Sequence, residues 1–262
     1  SGAAVAPQPG HTWTVVTLNM AEETGLETVM RDLRRADRIF EADVFLLQEV
    51  LHSGRQQDSF PLQLARRLRF HAAFAPGDAL AGGFARGVAV LSRFRIRDPQ
   101  LQRLQHFDLN FKQRCRVALG VTIDSPMGPV RVVNTHLDSR LNTGERLKQL
   151  KPVVDHLSPG SEPQLIGGDF NTANVLWLRR WLPVPFVALQ SRTVRDFMES
   201  HGFATPFTST GRTFSYLPLK LDWVFVKGLQ AVDAGVAPIG FSDHRGLWVK
   251  FHRPTADTAQ GK

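Results

Sequence analysis

The 262-residue chain has a single cysteine, Cys115, which excludes an intrachain disulfide and any cysteine-built zinc site. It lacks an apolar run near the roughly eighteen residues that a membrane-spanning helix needs, and no signal-peptide pattern opens it. No repeat, low-complexity block or long Gly/Ser linker divides it. One domain over residues 13–253 is therefore expected, with flexible segments at 1–12 and 254–262. The lone cysteine fits a reducing compartment and, with no signal-peptide pattern, favours the cytoplasm without fixing the compartment. Ser1 in place of an initiating Met leads to the further expectation of a processed or trimmed N-terminus. Lysine is also scarce: seven of the 32 basic residues are lysine, which leaves 25 arginines and a formal charge of +8. Arginine grips phosphate through two N–H groups at once, so this bias suits a phosphate-bearing partner; a solvated arginine-rich surface would produce the same numbers. Hydrophobic residues at 42% and charged residues at 21% exclude wholesale disorder.

Short β-branched or aromatic runs, bounded by Gly, Pro, Asp or Ser, predict strands at 13–18, 44–47, 87–91, 117–123, 130–135, 164–166, 221–226 and 247–251. Apolar residues at steps of three and four predict helices over 26–40, 62–68, 147–157 and 193–201, the third carrying Pro152. The runs ending at Ile123 and starting at Val130 leave no room for a crossover helix, so they should pair antiparallel around Ser125–Gly128. Phe74 to Arg86, rich in Gly, Ala and Pro, reads as a flexible loop, with a mobile substrate-contacting loop as the alternative. Cys115 alternates with Val117 and Leu119 and reads as a buried thiol.

Six of the predicted strands deliver a polar group at one end. Leu18 runs into Asn19, Leu47 into Gln48 and Glu49, Thr135 into His136, and Ile166-Gly167-Gly168 into Asp169-Phe170-Asn171. Asp222 opens another run, and Ser242-Asp243-His244 precedes the last. One such residue is ordinary turn chemistry, whereas six together point to a site. Oxygen ligands without cysteine suit a hard cation, and Glu49 with Asn19 forms the sparse set that Mg²⁺ accepts. The histidines remain for phosphate contact or proton transfer, and Asp169 for activating water, which are the parts that phosphoester hydrolysis requires.

The strings Thr17-Leu18-Asn19, Leu47-Gln48-Glu49, Asn134-Thr135-His136-Leu137, Gly168-Asp169-Phe170-Asn171, Leu221-Asp222-Trp223 and Ser242-Asp243-His244 resemble the ordered motifs of the endonuclease/exonuclease/phosphatase superfamily. That group includes DNase I, abasic-site endonucleases, neutral sphingomyelinases, inositol polyphosphate 5-phosphatases and tyrosyl-DNA phosphodiesterases. The resemblance covers about Trp13 to Phe251 and implies a four-layer α/β-sandwich, two mixed sheets face to face with helices outside. It assigns Glu49 as principal metal ligand, with Asn19 and Asp243 near the metal. Asp169 orients or deprotonates water or protonates the leaving group, and Asn171 positions phosphate and water. His136 binds the scissile phosphate, and His244 contacts phosphate or acts as a base, its tautomer fixed by Asp222. Arg114 is the looser match to a phosphate-binding arginine. Ala21 stands where many abasic-site endonucleases carry an acidic residue. The motif wording is nearer to tyrosyl-DNA phosphodiesterases and uncharacterised bacterial members.

The expected activity is Mg²⁺-dependent hydrolysis of a phosphodiester, with Mn²⁺ as a substitute, nucleic acid as first substrate and a monomeric enzyme. A phospholipid or sphingolipid phosphodiesterase is the alternative, and a non-catalytic binding module on the same fold the second. Asn174 to Gln190 sets this member apart. Trp177 and Trp181 would share one helical face if the segment is helical, with Arg179 and Arg180 between them. The segment reads either as a packed helix or as an aromatic, basic substrate lip that stacks bases or dips into a lipid interface.

Overall fold

The apolar runs are unbroken because both faces of the strands that carry them are covered. In the computed structural model, which describes residues 12–53, 59–108, 114–157, 160, 162–179, 181–185, 189–208 and 211–252, Val44 and Leu46 point into one core and Phe45 and Leu47 into another. Val224 and Val226 likewise face away from Trp223 and Phe225. A side-chain period of two with apolar residues in both phases leaves no polar face.

The strands in chain order are β1 (Thr12–Asn19), β2 (Val44–Ser53), β3 (His71–Ala79), β4 (Phe84–Ser92), β5 (Ile96–Arg103), β6 (Val117–Ser125) and β7 (Gly128–His136). They continue with β8 (Gln164–Asp169), β9 (Val175–Leu178), β10 (Leu182–Pro185), β11 (Asp222–Lys227), β12 (Gln230–Ala237) and β13 (Gly246–His252). The α-helices are α1 (Leu26–Arg35), α2 (Asp37–Phe40), α3 (Phe60–Leu68), α4 (Thr143–Leu157) and α5 (Gln190–Ser200). One sheet has the order β12-β13-β1-β2-β4-β3 and the other β11-β8-β7-β6-β5. Each contains one parallel pair, β1 with β2 and β7 with β8, in an otherwise antiparallel ladder. Val15, Leu46, Val132 and Leu165 belong to the core between the sheets. Val29, Leu33 and Leu64 of α1 and α3 cover the outer face of the first sheet, and Leu150, Val154, Val194 and Met198 of α4 and α5 that of the second. These four layers form the DNase I-like α/β-sandwich.

The predicted β6–β7 hairpin is present. Strands β3, β5 and β12 were not legible, and all three lie at sheet edges. An edge strand needs fewer apolar residues and tolerates proline, as β5 does with Asp98-Pro99. The stretch expected as a loop at 74–86 is therefore corrected: it forms most of β3, a short 3₁₀ turn at Ala81–Gly83 and the start of β4. The helix expected over 26–40 breaks at Ala36 into α1 and α2. The Trp177–Trp181 segment is not helical but a hairpin of β9 and β10, in which Trp177 pairs with Pro183. Cys115 is exposed, not buried, because β6 begins only at Val117 and the Cys115 N–H is turned toward Asp78 Oδ1. Thr12 opens β1, while residues 1–11 and 254–262 of the expected flexible ends lie outside the described residues. Among the described residues no helix is long and apolar enough to cross a membrane.

The glycine beside Asp169 is required on geometric grounds. Gly168, just before Asp169, has φ +144°, and a Cβ there would stand 1.9 Å from the Thr135 carbonyl oxygen on the neighbouring strand. Gly168→Ala should lower stability by about 2–3 kcal/mol, through overpacking and backbone strain together. A thermal melt indistinguishable from wild type would contradict that close approach.

Candidate active site

The polar strand ends meet at one end of the sandwich, and both sheets contribute. Asn19, Glu49 and the Asp243–His244 pair come from β1, β2 and the approach to β13; His136, Asp169 and Asp222 come from β7, β8 and β11. Asn19, Glu49, Arg114, His136, Asp169, Asn171, Asp243 and His244 line one cleft of about 380 Å³, joined by Ala21, Glu22, Arg116 and Ser139. Asp222 is buried directly behind His244. Trp177 and Trp181 are not among the cleft-lining residues. Asn142, three residues after Ser139, grips the backbone N–H and carbonyl of Trp177, and Trp181 and Arg179 stand exposed at the hairpin turn. Arg180 lies outside the described residues.

Glu49 reaches the cleft through a local defect in its strand. Leu47 pairs with Ala89 and Val50 with Gly87, so Gln48 and Glu49 oppose the single residue Val88. This β-bulge puts Glu49 at φ +54°, a conformation that non-glycine residues rarely adopt. Among the described residues its carboxylate accepts no hydrogen bond, and its one short contact is His136 Nε2 at 3.9 Å. Asn171 is also left-handed, at φ +52°. Its backbone N–H donates to Asp169 Oδ1 at 2.9 Å, and its side-chain amide donates to the Leu137 carbonyl at 2.9 Å.

Asp169, Asp222 and His244 form a buried cluster whose ligand atoms lie within 4.8 Å of one another. His244 Nδ1 donates to Asp222 Oδ2 at 2.9 Å, and its Nε2 stands 3.9 Å from Asp169 Oδ2. Burial disfavours a charged His244, but the Asp222 carboxylate outweighs it and the ring is pushed up to about 10. Burial raises Asp169 to about 7, with Asp222 and Glu49 adding to the effect and His244 opposing it. Because Asp222 occupies Nδ1, this cluster suits proton handling better than metal ligation.

His136 is handled in the opposite way. Its Nδ1 is 2.9 Å from the Arg116 guanidinium, which Asp138 holds from the other side. A guanidinium can only donate, so Nδ1 carries the lone pair and Nε2 the proton. Burial first, and then the charges of Arg116 and His244, push His136 well below the ordinary histidine range. Its neutral Nε2 stands 3.3 Å from Asp169 Oδ2.

Sequence reasoning passed over Arg116 in favour of its neighbour Arg114, although both line the cleft. It also passed over Arg146, which is fully buried and donates to the carbonyls of Asp138, Leu141 and Phe170, tying together the loops after β7 and β8. Its arginine at the first turn of an otherwise amphipathic helix gave no signal of this.

Comparison with protein-family models matches residues 16–244 to the Endonuclease/Exonuclease/phosphatase family. The chain belongs to that family. It is accordingly a hydrolase of phosphoric esters, which sets aside the non-catalytic module. Solved structures share the fold at low identity. An endonuclease/exonuclease/phosphatase protein from Beutenbergia cavernae is similar at 21% identity and TM-score 0.76, covering 94% of this chain and 72% of that one. The human Nocturnin catalytic domain is similar at 16% identity and TM-score 0.62, covering 93% of each. A humanised D. rerio TDP2 is similar at 15% and 0.60, covering 92% of this chain and 98% of that one.

The family is generally dependent on a divalent metal, and the donor set of this enzyme fits one. Glu49 offers a half-buried carboxylate without a donor, and Asn19 Oδ1 and the Asp243 carboxylate add neutral and anionic oxygens beside it. Oxygen donors with few charges suit a small hard cation that retains water.

Two outcomes follow from the buried cluster. His244→Ala and Asp222→Ala should each reduce kcat by roughly 10²- to 10⁴-fold, and the double variant should be little worse than either, because an imidazolium and the carboxylate that orients and charges it act as one unit. Additive losses in the cycle would show the pair to be uncoupled. Asp169 binds a proton more tightly in the folded state, so its contribution to stability is present below about pH 3.8 and is lost as pH rises toward about 7. In EDTA, Asp169→Asn should therefore melt higher than wild type at pH 8, with the difference shrinking at pH 5. A difference that grows on acidification would refute the raised carboxylate.

Proposed function

We propose that the enzyme is a Mg²⁺-dependent phosphodiesterase, with Mn²⁺ able to substitute. The observation that carries this reading is Glu49, a carboxylate turned into the cleft by a strained bulge and left without a donor. Backbone strain persists where function selects it, and an unpaired half-buried carboxylate calls for a cation. Glu49, Asn19 and Asp243 would hold the metal, which would neutralise charge growing on the phosphoryl and leaving oxygens.

This chain's own residues supply the rest. Among the described residues Arg114 is a half-buried cleft arginine with no acceptor, so its guanidinium is available to a non-bridging phosphate oxygen. The His136 Nε2–H, fixed by Arg116, and the Asn171 amide are further donors facing the same space. His244, kept cationic by Asp222, faces the phosphate with its Nε2–H. Asp169, raised toward neutrality, takes the proton from water as the water oxygen bonds to phosphorus and the ester oxygen leaves.

Glu49→Gln removes one charge and no packing volume. It should lower Mg²⁺-dependent hydrolysis of bis(p-nitrophenyl) phosphate by roughly 10²- to 10³-fold and leave the melt close to wild type. Near-normal turnover at low-millimolar Mg²⁺ would remove Glu49 from the metal site.

A further inference from the structure

Among the described residues ten large apolar side chains stand exposed, and seven of them gather at the end of the sandwich that holds the cleft. Phe84 starts β4 opposite Ser53, beyond Glu49 on β2. Leu178, Trp181 and Leu182 crown the β9–β10 hairpin, which begins four residues after Asn171. Leu189 precedes α5, where the adjacent Gln190 donates to the carbonyl of Val175 at the hairpin base. Tyr216 and Leu217 stand on a loop packed against the reaction centre: the Phe214 ring is edge-on to His244 at 5.5 Å, and Tyr216 is edge-on to Phe214 at 5.7 Å. The other three, Phe40, Leu101 and Val232, are scattered on α2, β5 and β12. Scattered exposed apolar residues are ordinary, but a set that surrounds one phosphate cleft is not.

A second cavity, an apolar trough of about 1010 Å³, lies along β2 beyond Glu49, with Leu51, Phe60, Leu80 and Phe84 in its walls. Glu22 lines the cleft, and Thr24, two residues on, lines the trough. We propose that this rim docks onto an anionic lipid surface and that the scissile phosphodiester belongs to a lipid headgroup, its apolar portion lying in the trough. The proposal rests on the phosphodiesterase reading above.

Charge distinguishes this from a nucleic acid, whose backbone asks for a row of free cations. Near the cleft Arg86 is committed to Asp78 and Glu22, and Arg116 to Asp138, so among the described residues Arg114 is the cleft arginine left for one phosphate. Exposed Arg179 and Arg212 flank the apolar rim, as suits contact with anionic lipid in a chain of formal charge +8.

The test uses the full chain in EDTA with phosphatidylcholine vesicles, with and without phosphatidylglycerol. Wild type should co-sediment with the anionic vesicles and its tryptophan emission should shift to the blue. Leu182→Ser combined with Leu217→Ser should weaken vesicle binding about tenfold or more, since two exposed apolar side chains no longer leave water. Hydrolysis of bis(p-nitrophenyl) phosphate with Mg²⁺ should be unchanged by that pair. Absence of vesicle binding, or binding indifferent to the pair, overturns the proposal. So does a loss of oligothymidylate affinity with vesicle binding intact, which would make the rim a base-stacking surface, or a dimer that the same pair dissolves. Vesicle binding by a wild type that hydrolyses no diester would retire the phosphodiesterase reading and the headgroup substrate with it, leaving the docking surface.

Discussion

Two buried amides hold the sheets in the register that the site requires. Gln48 Nε2 donates to Asn134 Oδ1 at 2.7 Å, and Asn134 Nδ2 donates back to the carbonyls of Leu47 and Ala89. Both side chains are fully buried between sheets whose shared core is otherwise largely apolar. Apolar contact is non-directional and tolerates sliding, whereas a buried amide left without partners costs free energy. Gln48 immediately precedes Glu49, and Asn134 lies two residues before His136. The link that fixes the sheets thus sits directly beneath the residues they must bring together. Asn19 repeats it at the buried floor of the cleft, donating across the seam to Asp169 Oδ2 at 3.1 Å.

Around that seam the protein holds groups that a stability-minded sequence would avoid. Glu49 and Asn171 occupy left-handed backbone, Asp169 and Asp222 are buried carboxylates, and Arg146 is a buried guanidinium pushed down to about 10 by desolvation. The buried charges are compensated locally, His244 and Asn19 offsetting the aspartates and three carbonyls receiving Arg146, whereas the left-handed backbone at Glu49 and Asn171 is kept. The two histidines show how far environment governs one chemistry. Asp222 makes His244 a cation, while Arg116 makes His136 a neutral donor, although their ring nitrogens converge on the same Asp169 oxygen. A polar, strained floor within an apolar rim suits a reaction at phosphorus in a substrate with an apolar body.

Much of this was legible in the chain. The central strands declared themselves because both faces are buried, and their polar ends marked Asn19, Glu49, His136, Asp169, Asn171, Asp222, Asp243 and His244, which the fold gathers at one place. The edge strands β3, β5 and β12 escaped notice because an edge needs neither a continuous apolar run nor freedom from proline. Trp177 and Trp181 at a spacing of four imitated a helix, yet Pro183 and Pro185 across a tight turn favour a hairpin. Cys115 was placed in the core by extending a strand period two residues beyond where the strand begins.

The amino-acid sequence by itself determined the layers, the family and the set of reactive side chains, because local periodicity and short motifs encode burial and residue type. Only the tertiary structure decided which arginine orders His136, that Glu49 projects through a bulge, and that the exposed apolar residues form one rim. Those are relations between residues far apart in the chain. Gln48 and Asn134 are 86 positions apart, and Asn19 and Asp169 are 150 apart. Hydrogen bonds and charge coupling act over a few ångströms of space whatever the distance along the chain, so no local pattern can carry them.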